Sequence, residues 1–119
     1  MSTIVTSNVS DGTLSIPTTY VTNGSAKARL YYDQTGPTVI GSFNVSSVTD
    51  NSVGDFTVNL TNSFSDTNNF AVGGAVSSAG RAVSGPFTPL STSAILLRTG
   101  TTAGGEDRIS ATSINGNLA

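Results

Sequence analysis

The chain has 119 residues, a formal net charge of −2, and no His, Cys or Trp. Its 18 Ser, 18 Thr, 13 Gly and 10 Asn make up about half of the sequence. This composition opposes helices, because Ser, Thr and Asn compete with helical hydrogen bonds and Gly is too flexible. Without His or Cys, the chain cannot form a Ser-His-Asp triad, a Cys-His dyad, a zinc site of the usual type or a disulfide. The length predicts one domain.

Charge and hydropathy exclude further classes of partner. Five basic residues against seven acidic ones cannot form the positive surface that nucleic acid requires, so no nucleic-acid partner is expected. The longest apolar run, residues 94–97, is far shorter than the roughly 18–20 residues of a membrane span, so no membrane insertion is expected. The first residues resemble no secretion signal, and we expect the protein to be made in a cytoplasm.

No cofactor and no metal site are expected from the acidic residues. Asp50 and Asp55 lack the spacing and the terminal Glu of a calcium loop, and turn formation explains them better. Glu106 and Asp107 are adjacent, so on a strand they would point to opposite faces and would not converge on a substrate. The sequence therefore favours a protein that is not an enzyme.

Residues 1–25 predict an extended N-terminal arm. Pro17 lacks a backbone donor and holds Ile16 extended, so residues 16–21 predict an extended segment or an edge strand. Candidate anchoring residues are the apolar side chains of the arm that have no obvious partner within it: Ile4, Leu14, Ile16 and Val21. Two interpretations are open: a loose terminus, or an arm that lies on a neighbouring subunit.

The clearest strands lie in the middle of the chain. Residues 26–32 alternate between apolar and polar side chains, which predicts a half-buried strand, and residues 33–37 predict a turn. Residues 39–46 and 56–61 repeat the alternation and predict a β-hairpin with residues 49–55 as its connection. This hairpin is expected to be the structural centre, with these side chains pointing inward: Phe43, Val45, Phe56, Val58 and Leu60.

Short strands separated by glycines are predicted for the second half, including a buried strand at 94–98 and another near 109–114. With about six to eight strands and no helix signal, the predicted fold is all-β. We expect an antiparallel sandwich or jelly-roll-like domain over residues 26–119, preceded by the arm of residues 1–25.

Residues 77–93 predict an irregular loop, because their glycines and prolines oppose regular strand pairing. The segment carries three candidate recognition residues, Arg81, Phe87 and Leu90. Recognition commonly lies on loops of a rigid β-scaffold, so these residues are expected to contact a partner. The alternative is that the segment is only a structural connection.

Residues 42–61 read SFNVSSVTDNSVGDFTVNLT, which resembles a module of tailed-bacteriophage virion proteins that commonly reads SFNVSSxTDNxxGDYTVNFT. The similarity extends over residues 22–76, with GSAKA at 24–28 and FAVGG at 70–74 in the corresponding places. Similar sequences carry Trp where this chain has Arg29, which indicates a more polar face or a polar partner here.

This resemblance implies a non-enzymatic virion structural protein, similar to tail fibre proteins of marine phages, that acts in particle assembly or host attachment. The expected location is the virion, and the expected partners are other virion proteins and a host surface receptor. A thin core and an unpartnered arm predict a homo-oligomer, for which a homotrimer is the favoured state. The alternative function is a capsid decoration protein, a cement or head fibre protein that stabilises the head.

Overall fold

The structure is a computed structural model that describes residues 1–68, 70–77, 82–83, 88–101 and 103–119. It confirms the all-β prediction, because most of these residues lie in strands and antiparallel sheets pack together around one apolar core. The elements in chain order are β1 (Asn8–Ser10), β2 (Ser15–Pro17), α1 (Thr18–Gly24), β3 (Ala26–Asp33), β4 (Thr38–Phe43), β5 (Val45–Ser52), β6 (Asp55–Leu60), β7 (Phe70–Val76), β8 (Ala82–Val83), β9 (Thr88–Ser91), β10 (Ala94–Thr101), β11 (Gly104–Gly105) and β12 (Ile109–Gly116).

Two sheets form the body of the molecule. The first has four strands in the order β4-β3-β12-β7, and each strand is antiparallel to its neighbour. The second follows the order β11-β10-β6-β5, and β8 and β9 also pair with β10. A separate two-stranded hairpin, β1-β2, belongs to the N-terminal arm.

The apolar core consists of inward-facing side chains from both sheets. Period-2 alternation in β3 buries Ala28, Leu30 and Tyr32, as the sequence predicts. Other fully or almost fully buried side chains come from β6, β10, β12 and the segment after β6: Phe56, Val58, Leu60, Phe64, Ile95, Leu97 and Ile114. The rings of Tyr32 and Phe56 join the two sheets, with centroids 5.1 Å apart.

The predicted central hairpin is present, but its connection is shorter than predicted. β5 continues to Ser52 and β6 begins at Asp55, so the connection is Val53–Gly54 rather than residues 49–55. Asp50 and its neighbours stay in the strand, where they face solvent at a sheet edge that tolerates polar side chains. The turn is possible because Gly54 adopts a positive φ of 77°.

Phe43 does not point inward, contrary to the prediction: 59% of it is exposed. The stretch 39–46 is not one strand, because β4 ends at Phe43 in the first sheet and β5 begins at Val45 in the second. Asn44 makes the crossing at φ 55°. Its side chain fixes the crossing by donating to the Lys27 carbonyl at 3.0 Å and accepting from the Asn62 amide at 2.7 Å.

The arm also differs from the prediction, since residues 18–24 form the helix α1 instead of continuing an extended segment. Pro17 directly precedes the helix with φ −58° and ψ 139°. The missing backbone N–H of Pro17 predicts an edge strand. A helix start also tolerates proline, because the first helical N–H groups have no intrahelical partner. Strand β2 therefore ends at Pro17.

The segment 77–93 is more regular than predicted. Within its described residues, β8 and β9 both pair with β10 in antiparallel fashion, with a register shift next to Ala94. Pro89 is accommodated in β9, opposite Ile95, because a strand at the margin of a sheet can lack one donor.

Candidate interaction surfaces

The N-terminal arm has no buried residue over positions 1–24. Its hairpin nevertheless has two different faces. Val9 lies directly opposite Ile16 in the register, and Leu14 stands exposed in the connection between β1 and β2. Ser10 and Ser15 pair on the opposite face. An apolar face thus lies uncovered on an element whose other face is polar.

Local hydrogen bonds define the shape of this hairpin. The Asp11 carboxylate accepts from the amides of Leu14 at 2.7 Å and Thr13 at 2.9 Å, and these donors lower the pKa of Asp11 below its ordinary value. The Thr18 amide donates to the Ser7 carbonyl at 2.8 Å and ties the start of the helix to the hairpin. The arm therefore has hydrogen-bonded local structure although it buries none of its residues.

The arm joins the body at the end of α1. Asn115 of β12 donates its side-chain amide to the Gly24 carbonyl at 2.8 Å. The candidate anchoring residues lie beyond this junction, and all four are exposed: Ile4, Leu14, Ile16 and Val21. The structure places Ile16 opposite Val9 on the hairpin, Leu14 in the connection between β1 and β2, and Val21 on the helix. Ile4 stands apart, in the segment that precedes β1.

A second exposed region is the outer face of the four-stranded sheet. The register aligns Phe43, Arg29 and Ser113 in one row across β4, β3 and β12, and Gly41, Tyr31 and Ala111 in the next. The large side chains stand on β3 and β4, whereas β12 and β7 contribute small ones such as Gly73 and Ala75. Arg29 and Tyr31 border a shallow groove of about 400 Å³ above these small residues.

Arg29 lies on this outer face and not in the core. The resemblance noted in the sequence predicts a more polar face or a polar partner at this position, and the exposure of Arg29 is compatible with both. The sequence did not reveal the neighbours of Arg29, since the rows depend on pairing between strands that are distant in sequence. Alternation within β3 was the one available signal that Arg29 and Tyr31 share a face.

Acidic side chains hold one end of the sandwich together. Asp55 on β6 forms an ion pair with Arg98 on β10, with Nη2 and Oδ2 2.7 Å apart. Asp107 accepts from the Gly54 amide at 2.8 Å, and so secures the turn between β5 and β6. The Arg108 guanidinium binds the Glu106 carboxylate at 2.7 Å. Each of these carboxylates therefore has a structural partner.

A buried polar network continues from this end into the molecule. Gln34 is almost fully buried, and the amide orientation that satisfies its neighbours donates to the Thr99 hydroxyl at 2.9 Å and accepts from the Asp55 amide at 3.1 Å. Thr99 then uses its one hydroxyl proton for the Glu106 carbonyl at 2.7 Å. Sequence reasoning missed Gln34, because a glutamine in a turn gives no sign of burial.

Of the candidate recognition residues, Leu90 lies on β9 and is 55% exposed. Arg81 and Phe87 lie outside the described residues. Among the residues that the structure describes, no three His, Cys, Asp or Glu side chains are grouped so that they could hold a metal ion. In the same part of the chain, no helix has the length and apolar character needed to cross a membrane.

No protein-family model matches the chain, and neither a curated protein nor a solved structure shows significant similarity to it. The arm and the outer face of the four-stranded sheet are therefore the features from which a function can be inferred.

Proposed function

We propose that the chain is a non-enzymatic structural protein of a bacteriophage virion, similar to a tail fibre protein. In this proposal the arm anchors the protein to neighbouring subunits of the particle, and the sandwich presents outward contacts. The proposed partners are further copies of the chain in a homotrimer, other virion proteins and a host surface receptor.

One observation carries the proposal: the arm is folded, yet it buries nothing. Two-stranded hairpins are marginally stable in water unless a further strand or helix covers them. Here the side chains of Val9, Leu14 and Ile16 are all exposed, and Val9 and Ile16 lie opposite each other. A docking element of an assembly has these properties, because its apolar face is buried only when a partner is present.

Particle assembly with altered arms tests the anchoring role. Deleting residues 2–20 is expected to abolish incorporation into particles, because it removes the whole hairpin. The paired changes Val9→Ser and Ile16→Ser should give the same loss, since they make the apolar face polar. The matched control changes Ser10→Ala and Ser15→Ala on the other face and should incorporate normally. Incorporation of the truncated chain would contradict the anchoring role.

Host attachment is tested separately through the candidate recognition residues. Replacing Arg81 and Phe87 by Ala is expected to leave incorporation intact and to reduce adsorption to host cells. Particles that assemble and adsorb normally with both changes would contradict this part of the proposal.

A virion reconstruction that locates the protein in the particle tests the tail assignment. A virion reconstruction is expected to show the sandwich density on the tail. Density on the capsid surface, together with heads that lose stability when the chain is omitted, would replace the tail role by capsid decoration.

A further inference from the structure

The outer edge of β4 is poorly protected against pairing with another strand. Natural edge strands are commonly guarded by charges, prolines or bulges. β4 contains no charged residue, and its register is irregular once, at Ile40. The opposite sheet ends in β5, which carries Asp50 and has two register irregularities. Of these two edges, β4 is the less obstructed one. The strand β7, at the other edge of the first sheet, is also uncharged, but it has no large exposed apolar side chain.

Apolar side chains accompany this free edge. Val39, Ile40 and Phe43 of β4 are all exposed. Tyr31, exposed on the neighbouring strand β3, lies on the same outer face as Phe43, whereas Val39 pairs with the buried Tyr32. Exposed apolar groups gathered in one region of a monomer commonly mark an interaction site.

The first residues of the chain have the complementary property. Residues 1–5 make no hydrogen bond, and the side chains of Ile4 and Val5 are 90% and 93% exposed. Residues 2–7 read STIVTS, in which four consecutive residues are β-branched and none is charged. β-branched residues favour strands.

We propose that residues 2–7 of one copy add as a strand to the β4 edge of a second copy. Strand addition to an open sheet edge is a common mode of peptide recognition, in which main-chain hydrogen bonds supply affinity. The apolar side chains of Ile4 or Val5 then cover the exposed apolar groups of β4. Within one copy, the hairpin and α1 intervene between residues 1–5 and the body, and these residues do not contact their own β4 by hydrogen bonds.

The donor and acceptor surfaces differ, so the contact is heterologous: each copy gives one strand and receives one. Such contacts form a closed ring when the rotation between copies closes, and a filament otherwise. A closed ring of three copies would be the proposed homotrimer. This inference rests on one part of the proposed function, the docking of the arm onto a neighbouring subunit. It identifies that subunit as a second copy of the chain.

Disulfide trapping tests the contact, because the chain has no cysteine of its own. Copies carrying Ile4→Cys, or Val5→Cys to allow for the register, are mixed with size-tagged copies carrying Ile40→Cys and oxidised. We expect a disulfide between the two copies, since opposed residues of paired strands lie close enough for one. The matched control, Ser47→Cys on the exposed edge β5, should form none with the same donors. Equal trapping at Ser47→Cys would overturn the proposal.

Sedimentation of the purified chain is the second measurement. The full chain should be oligomeric, and deletion of residues 2–5, which keeps the hydrogen bond from the Thr18 amide to the Ser7 carbonyl, should yield a monomer with an unchanged thermal midpoint. Ile40→Lys should cause the same loss of oligomer, because a charge guards the edge. A monomeric full chain, an oligomer that survives the deletion, or a disulfide within single chains carrying both Ile4→Cys and Ile40→Cys would each overturn the proposal. If one of these occurs while deletion of residues 2–20 still prevents incorporation, the proposed function stands and only the strand addition fails.

Discussion

The body and the arm are built from similar residues but have different sources of stability. In the four-stranded sheet, β3, β12 and β7 contribute apolar side chains to the core, and the interior strands β3 and β12 each pair on both sides. The arm has a single strand pairing and no buried residue. A Ser- and Thr-rich strand is therefore stabilised mainly by the strands and the facing sheet that pack against it, and less by its own composition.

The overall dimensions reflect the same difference. The radius of gyration is 16.3 Å and the principal extents are 49 × 27 × 26 Å. A compact domain of this length would have a radius of gyration of about 13–14 Å. The chain therefore keeps part of its length outside the packed volume, and the unburied arm accounts for such an elongated form.

The largest expected effect is a cavity in the body. Phe56 is fully buried against Tyr32, so Phe56→Ala should lower the free energy of unfolding by about 3–5 kcal/mol. That loss approaches the whole stability of a small domain. Phe43→Ala is the matched control, because Phe43 is largely exposed, and its denaturation midpoint should change little. Equal effects of the two changes, measured by chemical denaturation, would refute the assignment of faces.

A smaller but still large effect is expected at the turn of the central hairpin. A Cβ at Gly54 would lie 2.5 Å from the Thr99 carbonyl oxygen and the Glu106 amide nitrogen, and its φ is positive. Gly54→Ala should therefore destabilise the body by about 3 kcal/mol, at the upper end of the cost of local backbone strain.

Gly12→Ala is the control for the turn. Gly12 also has a positive φ, of 96°, but a Cβ there meets nothing within 4 Å. Because Gly12 lies in the arm, its replacement should leave the thermal midpoint of the body unchanged. An equal fall in the thermal midpoint for both replacements would show that the arm and the body unfold together. The arm and the body would then have the same source of stability.

Sequence reasoning predicted the elements whose pattern has a strong physical cause. β3, β6 and β10 each place apolar residues against the core at period 2, and burial enforces that pattern. The break at Asn44 was missed, because the apolar alternation of residues 39–46 runs through it without interruption. Asn tolerates the left-handed region, but it does so in many contexts and predicts no break by itself.

The candidate surfaces were predictable to different degrees. The unpartnered apolar residues of the arm were evident from sequence, although their arrangement on a hairpin and a helix was not. The rows that place Arg29 beside Phe43 and Tyr31 beside Gly41 arise from register between strands. Register depends on packing of the whole sheet, so a single sequence does not reveal which residues become neighbours.

The ion pair between Asp55 and Arg98 should give the body a moderate pH dependence. The Arg98 guanidinium, through its hydrogen bonds, holds the pKa of Asp55 below its ordinary value. The pair therefore contributes stability above the unfolded pKa of about 3.9, and this contribution is lost as pH falls through the lower folded pKa. Thermal midpoints at about pH 6 and about pH 3 should differ less in Arg98→Gln than in the parent. An unchanged difference would show that other carboxylates dominate the acid response.

The smallest expected effect is on the arm of the isolated chain. Leu14→Ser removes an apolar side chain that is 68% exposed and has no cover, so the thermal midpoint of the body should not move. Amide hydrogen exchange is the sharper measurement, because it reports the opening of each segment separately. In the dispersed chain, the β1–β2 amides should exchange rapidly in the parent and the variant alike, whereas β6 amides stay protected. In the assembled state, a partner covers the hairpin, so its amides should become protected in the parent and less so in Leu14→Ser. Strong protection of the β1 and β2 amides in dispersed monomers would mean that the hairpin is stable without a partner. The arm and the body would then not differ in their stability.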